Sequence, residues 1–301
     1  MSYTMFNAKD EVEAGTSVLD AALDADALFT PQVAPVALPN GTVPVNRNGE
    51  PEFSTVYREG ANGEQYLLNA GVKPGYCAVG YKGIIETADA MFENACDSLH
   101  LIGNGEKLLF TQKIGEGTTG GETLGSYLMY TASLNSTWPT AVYGFAFRPS
   151  CSNQIPTGMV QLSQKRTRNH DFLLFHKASL VAKAADVFDN FIGSTAMLRS
   201  VELSEFSMRK LRDSVLPQLD DDASKRAVTM ADKRIAGIDY FWQEEKERVG
   251  SNAWALYNAI QSYEFHTVTK DRVASQAEVV RDPARNQRFS EAVKVAALAT
   301  V

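Results

Sequence analysis

Cysteine is scarce in this chain, with three residues in 301 and no CxxC pair among them. An odd, sparse set of cysteines excludes a disulfide framework and indicates a reducing compartment. Long apolar runs are also missing, and the first fifteen residues lack the basic-then-apolar order of a signal peptide. We therefore expect a cytoplasmic protein that has no membrane partner.

Histidine is almost as rare, with four residues and no ligand-like spacing. A zinc site of Cys151, His170 and His176 is disfavoured, because residues six apart on a helix are rotated by about 240°. Cys151, in AFRPSCSNQIPT (146–157), would need a base such as His170 to act as a nucleophile. No signature such as C-G-S-C-W surrounds it, so a buried thiol is favoured and a Cys/His enzyme is the third hypothesis. No metal or cofactor is predicted.

Charge is distributed unevenly along the chain. The formal net charge is −7; residues 1–160 carry 8 basic and 17 acidic side chains, whereas residues 161–301 carry 21 and 19. Overall acidity removes the compositional support for nucleic-acid binding but does not exclude it, because the local field matters more than the sum. The basic residues of the second half therefore either form a patch or lie on solvated helix faces.

The densest basic run is QKRTRNHDF (164–172), which holds Lys165, Arg166, Arg168 and His170. It precedes a predicted long helix, and both helix N-termini and guanidinium groups suit phosphate. The alternative is a solvated loop that ends in a helix cap. The run is thus a candidate segment for phosphate binding.

The chain divides into three predicted regions. Residues 1–51 hold an acidic short helix and a proline-rich arm, residues 52–160 a sheet domain, and residues 161–301 a helical domain. Within the sheet domain the pattern predicts strand–helix–strand–strand–strand. The fold class is therefore α+β, with a mixed or antiparallel sheet packed against the C-terminal helices.

Local patterns decide three details of the sheet domain. YCAVGYKG (76–83) is typical of a strand, and TADAMFENACDSLHLI (87–102) has the apolar spacing of an amphipathic helix. GEGTTG (115–120) fits G-x-G-x-x-G, but a dinucleotide site needs a helix directly after it, and a strand-like segment follows. We therefore predict a hairpin turn there, whose glycines let the backbone approach a ligand.

SNAWALYNAIQSYEFHT (251–267) is one of several predicted helices in the C-terminal half, with Ser251 or Asn252 as its N-cap. Four-residue spacing aligns one column of its side chains, namely Trp254, Asn258, Ser262 and His266. The column either lines a groove or, as we favour, forms hydrogen bonds that fix this helix against the sheet domain.

Three short motifs follow one another along the chain: Arg148–Asn153 (RPSCSN), Arg168–His170 (RNH) and Trp254–Ala259 (WALYNA), the last followed by His266. Together they resemble a phage- and plasmid-borne family of unknown function that includes the YfjQ/YafZ-like proteins. The resemblance spans about residues 65–290 and implies a mobile-element protein. It implies structural roles, and no chemistry, for Cys151, Asn153, Trp254, Asn258 and His266.

The predicted element order is also similar to the core of single-strand annealing proteins of the Redβ, RecT and Erf kind. Those proteins bind DNA in a groove between a sheet and helices and act as rings or filaments. The similarity implies a protein of the host-cell cytoplasm that binds single-stranded DNA, promotes annealing or recombination, and forms oligomers with itself. The predicted DNA contacts are Arg148, Lys165, Arg166, Arg168 and His170 for phosphates and Tyr81 for base stacking.

A second hypothesis is a protein–protein interaction factor, such as an inhibitor of a host defence or a virion-associated protein. Its contact surface would be the acidic first half of the chain. A basic groove favours DNA binding, an exposed acidic or apolar patch favours the interaction factor, and a pocket that brings Cys151 to His170 favours an enzyme.

Overall fold

A computed structural model describes residues 12–13, 15–60, 62–73, 76, 78–92, 96–148, 153–156, 162–164, 177–268, 277, 281 and 288–299. The strands in this part of the chain are β1 (Gln32–Pro35), β2 (Ser54–Glu59), β3 (Gln65–Val72), β4 (Cys96–Ile102), β5 (Lys107–Thr119), β6 (Glu122–Ser133), β7 (Thr140–Arg148), β8 (Asn153–Pro156) and β9 (Leu162–Gln164). The helices are α1 (Val18–Asp24), α2 (Lys82–Met91), α3 (Lys177–Ser200), α4 (Glu205–Val215), α5 (Lys225–Val249), α6 (Ala253–Ser262) and α7 (Arg288–Leu298), and a π-helical turn, Tyr263–Val268, directly follows α6.

The strands form two sheets, and every strand pair within the described residues is antiparallel. The small sheet has the order β1-β2-β3; the large sheet runs β4-β5-β6-β7, and β8 and β9 both pair with β7. Most of the helices follow the sheets in sequence. This confirms the predicted α+β class.

The longest hairpin, β5–β6, places the glycine-rich segment. Thr119 pairs with Glu122, so Gly120 and Gly121 form a two-residue turn, and their φ angles are +53° and +79°. Such turns need a positive φ at both central residues, which glycine adopts without strain. The predicted hairpin is present and β6 follows it in place of a helix, but residues 115–119 belong to strand β5 and the turn itself lies at Gly120 and Gly121.

One core cluster joins the N-terminal elements to the large sheet. Val18 of α1, Val56 of β2 and Ile84 of α2 are buried in the same cluster as Phe110 of β5 and Tyr130 of β6. The Phe110 and Tyr130 rings stack with centroids 4.5 Å apart. The proline-rich arm contributes the mostly exposed strand β1, which pairs with β2 of the same chain.

A second core cluster joins the C-terminal helices to the hairpin end of the large sheet. It brings Leu124 of β6 and Ala146 of β7 together with Phe188 of α3 and Trp254 of α6. The helix α3 approaches β5 so closely that a Cβ at Gly117 would lie 3.1 Å from Phe188. The helices therefore pack on the sheet, as predicted.

The predicted strand at 76–83 and the predicted helix at 87–102 are wrong in position. The helix α2 begins at Lys82 and ends at Met91, and residues 96–102 form β4. The apolar spacing that predicted one helix spans two elements, because Ala88 and Met91 lie in α2 whereas Leu99 and Ile102 lie in β4. The Ser98 hydroxyl is paired with the Thr111 hydroxyl of β5 at 2.8 Å.

Two further predictions concern helix ends and membranes. The Asn252 side chain accepts a hydrogen bond from the Ala255 N–H at 3.0 Å, so Asn252 is the N-cap of α6. In the part of the chain that the structure describes, no helix has the length and apolar character needed to cross a membrane.

Candidate functional site: an arginine cleft between sheet and helices

Arg148, the last residue of β7, is completely buried. Its Nε donates to the Glu122 carboxylate of β6, and its Nη1 donates to the Glu245 carboxylate of α5. A buried guanidinium is tolerated only when it is paired, because desolvation of a charge is costly. The pairs therefore tie the end of the sheet to α5.

Glu122 is the residue on which the surrounding elements converge. Besides Arg148, its carboxylate accepts hydrogen bonds from Arg199 Nη2 at the end of α3 and from Trp254 Nε1 of α6, each at 3.1 Å. One carboxylate thus connects β6, β7, α3 and α6. Because Glu122 follows the Gly120–Gly121 turn directly, the hairpin sets its position.

A cavity of about 410 Å³ opens beside this network, and we call it the arginine cleft. It is lined by Gly120, Gly121, Glu122, Thr123, Arg148, Arg199, Arg248 and Val249. The Arg199 side chain is 15% exposed and that of Arg248 is 42% exposed. Among the described residues, three guanidinium groups meet two carboxylates here, Glu122 and Glu245, which leaves one positive charge in excess.

The two accessible arginines are held differently. Arg199 packs against the turn, since a Cβ at Gly120 would lie 2.9 Å from its guanidinium, and its Nε is buried with no hydrogen-bond partner among the described residues. Arg248 lies 3.6 Å from Glu245 one turn earlier on α5, which is longer than a hydrogen bond. Guanidinium groups match oxyanions with two parallel donors, so the cleft is suited to an anion.

The structure brings together two of the motifs found in the sequence. Arg148, which opens the first motif, and Trp254, which opens the third, both donate to Glu122. For Trp254, the favoured interpretation of the helix column therefore holds, because its side chain makes a hydrogen bond from α6 to the sheet. Asn258 is also buried, and its Nδ2 donates to the Trp254 carbonyl of its own helix at 2.7 Å.

Two of the predicted DNA contacts are buried inside the protein. Tyr81 is completely buried, and its hydroxyl donates to the Gly105 carbonyl at 2.9 Å, so its ring offers no face to a base. Arg148 is likewise committed to two carboxylates and is not an exposed phosphate contact. Both are corrections to their predicted roles, and both arise because tertiary burial is invisible in local sequence.

Several predicted residues lie at or beyond the limits of what the structure describes. Lys165, Arg166, Arg168, His170 and Cys151 lie outside the described residues. Asn153 is the first residue of β8 and is in register with Arg148. His266 lies within the π-helical turn after α6.

Sequence reasoning missed Glu122, Arg199 and Arg248. They lie on three separate elements, and none stands in a motif whose spacing points to a site. The glycine pair before Glu122 was the one usable signal, because it placed a turn with accessible backbone at this point. The convergence itself depends on how α3 and α5 pack on the hairpin.

Two further observations on the described residues concern a cysteine nucleophile and a metal site. Burial raises the pKa of the Cys96 thiol to about 12, so this cysteine is not a nucleophile at neutral pH. No group of three or more histidine, cysteine or carboxylate residues in the described ranges is placed to hold a metal ion.

A protein-family model described as "Domain of unknown function (DUF932)" matches residues 72–297, well over half of the chain. The match includes every element that lines the arginine cleft. No curated protein and no solved structure matches the chain.

Proposed function

We propose that this chain, which belongs to the DUF932 family, binds single-stranded DNA and promotes its annealing in phage or plasmid recombination. The observation that carries the proposal is the arginine cleft, a positively charged recess at the junction of the sheet and the helices. The likeness to annealing proteins of the Redβ, RecT and Erf kind leads us to expect a groove at such a junction. The mobile-element role rests on the YfjQ/YafZ-like motifs.

Electrostatics supports a local rather than a global attraction for DNA. The chain as a whole is acidic, so any affinity must come from a region where cations outnumber anions. Arg199 and Arg248 supply such a region, and arginine stays charged at every physiological pH. The basic run of Lys165, Arg166, Arg168 and His170 precedes α3 in sequence. We propose that it binds further phosphates of the same DNA strand.

Fluorescence anisotropy of a labelled 20-nucleotide single strand, titrated with the protein at low and physiological salt, tests this proposal. A duplex of the same length is measured alongside. We expect salt-sensitive binding that favours the single strand and weakens in both Arg248→Gln and a triple Lys165/Arg166/Arg168→Ala variant. Absence of binding at low salt would overturn the proposal, and a strand-annealing assay follows if binding is found.

A second candidate function, an interaction factor, is favoured by an apolar groove elsewhere on the helices. The groove has a volume of about 440 Å³ and is lined mainly by Val201, Leu203, Leu211, Ala296 and Ala297. The two helices beside it also carry the exposed side chains of Phe206 (78%) and Val295 (68%). Exposed apolar surface of this kind marks contact sites. Light scattering on wild type and Phe206→Ser would show whether the groove binds a second copy.

A further inference from the structure

We infer that the arginine cleft is a phosphate site, which holds one phosphate group of a nucleic-acid backbone and makes no contact with the base. The inference rests on the proposed function for the source of the phosphate and deepens it by naming the recognised group. The same chemistry would accept a phosphate group from a free anion, so the experiments below separate the two sources.

Arg248 is the arm that reaches the ligand. Its side chain is 42% exposed, and its guanidinium is 3.6 Å from Glu245 Oε1, so no close hydrogen bond needs to break when it turns toward an anion. It is the second-to-last residue of α5, which ends at Val249 and is followed by Gly250 with a φ of +87°. The arm therefore projects from the C-terminal end of a 25-residue helix.

Arg199 forms the fixed side of the site. Its Nη2 is held by Glu122 at 3.1 Å, and the Gly120 backbone supports its guanidinium. Its Nε is buried and has no partner among the described residues, and such a donor costs free energy unless an acceptor is supplied. A phosphate oxygen entering the cleft would supply one.

The lining also tells which part of a nucleotide would bind. None of the described residues that line the cavity is aromatic, so this lining offers no stacking surface for a base. Its volume of about 410 Å³ is at the lower end of ligand pockets, which are roughly 300–1,000 Å³. Recognition is therefore confined to phosphate and sugar, and it should be independent of base sequence.

Charge sets the stoichiometry at one phosphate. Among the described residues, Arg148, Arg199 and Arg248 carry three positive charges, and Glu122 and Glu245 carry two negative charges, so one positive charge is in excess. A phosphodiester carries one negative charge and neutralises this excess. A second phosphate would find no further cationic side chain among the described lining residues and would face Glu122.

The first test compares an oligothymidylate with an abasic oligonucleotide of the same length. The variants are Arg248→Gln and a matched control, Arg226→Gln, an exposed arginine on the same helix about 33 Å away along its axis. We expect Arg248→Gln to weaken both ligands by the same factor, roughly ten- to a hundredfold. The control should change neither. Loss of affinity for the oligothymidylate alone would overturn the inference, because the cleft would then read bases.

The second test uses inorganic pyrophosphate and needs no DNA. The thermal midpoint is measured in pyrophosphate and in sodium chloride of equal ionic strength, for wild type and both variants. We expect pyrophosphate to raise the thermal midpoint of wild type and of Arg226→Gln but not that of Arg248→Gln. A rise of equal size in all three proteins would overturn the phosphate site. If this test succeeds while no oligonucleotide binds, the phosphate site stands and the DNA-binding function falls.

Discussion

At the scale of single residues, Arg148 shows how this molecule connects its two halves. Its fully buried guanidinium is held by one carboxylate from the sheet and one from α5. Such pairs add little net stability over an apolar contact, but removing one partner is costly because the other charge stays buried. The structural role of Arg148 thus follows from its burial.

This reasoning predicts that Glu245→Ala lowers the free energy of unfolding by about 3–5 kcal/mol. The matched control is Glu247→Ala, an exposed carboxylate on the same helix, which should change it by less than about 0.5 kcal/mol. Urea denaturation followed by circular dichroism measures both. Similar values for the two variants would show that the Arg148 pairs do not bear on stability.

Glu264 is a second residue whose burial has a measurable consequence. It lies in the π-helical turn, and one of its carboxyl oxygens accepts a hydrogen bond from the Ser290 hydroxyl of α7 at 3.2 Å. Burial raises the pKa of its carboxyl group from 4.5 to about 8. The folded protein therefore keeps this group protonated at a pH where the unfolded chain has released the proton.

A raised carboxyl pKa makes the folded state lose stability as the pH rises. The contribution of Glu264 is complete below pH 4.5 and is lost progressively up to about pH 8, at about 1.4 kcal/mol per pH unit. We expect Glu264→Gln, which mimics the neutral acid, to flatten the fall in unfolding free energy across this range. Denaturation curves at several pH values test it; parallel pH profiles for the two proteins would contradict the assignment.

At the scale of elements, the β5–β6 turn positions the cleft. Gly120 and Gly121 both have positive φ, but only Gly120 is crowded, since a Cβ there would meet the Arg199 guanidinium at 2.9 Å, whereas one at Gly121 would meet nothing within 4 Å. Asparagine tolerates the left-handed region better than other residues with a side chain. Substituting the two glycines one at a time therefore distinguishes the effect of backbone strain from the effect of displacing Arg199.

We predict that Gly121→Asn leaves both stability and oligonucleotide affinity almost unchanged. Gly120→Asn should displace Arg199 from Glu122, cost roughly 1 kcal/mol of unfolding free energy, and weaken oligonucleotide binding several-fold. Anisotropy and urea denaturation on the two variants measure this difference. If Gly120→Asn binds as tightly as Gly121→Asn, Arg199 is not a fixed part of the site.

The elements also show what a sequence is able to reveal. The α6 cap, the glycine turn and the long helices were predictable, because each depends on residues close together in the chain. The strand β4 was not, since its apolar residues continue the helical spacing of α2. The cleft was out of reach, because Glu122, Arg199 and Arg248 converge only when α3 and α5 pack on the hairpin.

At the scale of the whole molecule, the acidic charge of the chain disfavours nucleic-acid binding except where basic side chains are concentrated. The net charge is −7, and residues 1–160 hold all of the acidic excess, since the rest of the chain carries slightly more basic than acidic side chains. A strand that approaches this surface meets repulsion over much of it, which screening by salt reduces. Salt also weakens the attraction at the cleft. Each phosphate contact releases counterions from the nucleic acid, and added salt favours their return.

The salt dependence of binding therefore reports how many phosphates are engaged. For single strands the logarithm of the binding constant falls by about 0.7 per phosphate contact for each tenfold rise in salt. We expect the slope of Arg248→Gln to be shallower than that of wild type by about 0.7, as for the loss of one contact, and the slope of Arg226→Gln to match wild type. A slope that Arg248→Gln leaves unchanged would mean that its arm does not touch the backbone. A change of 1.4 or more would mean that the cleft engages at least two phosphates, against the stoichiometry that its charge sets.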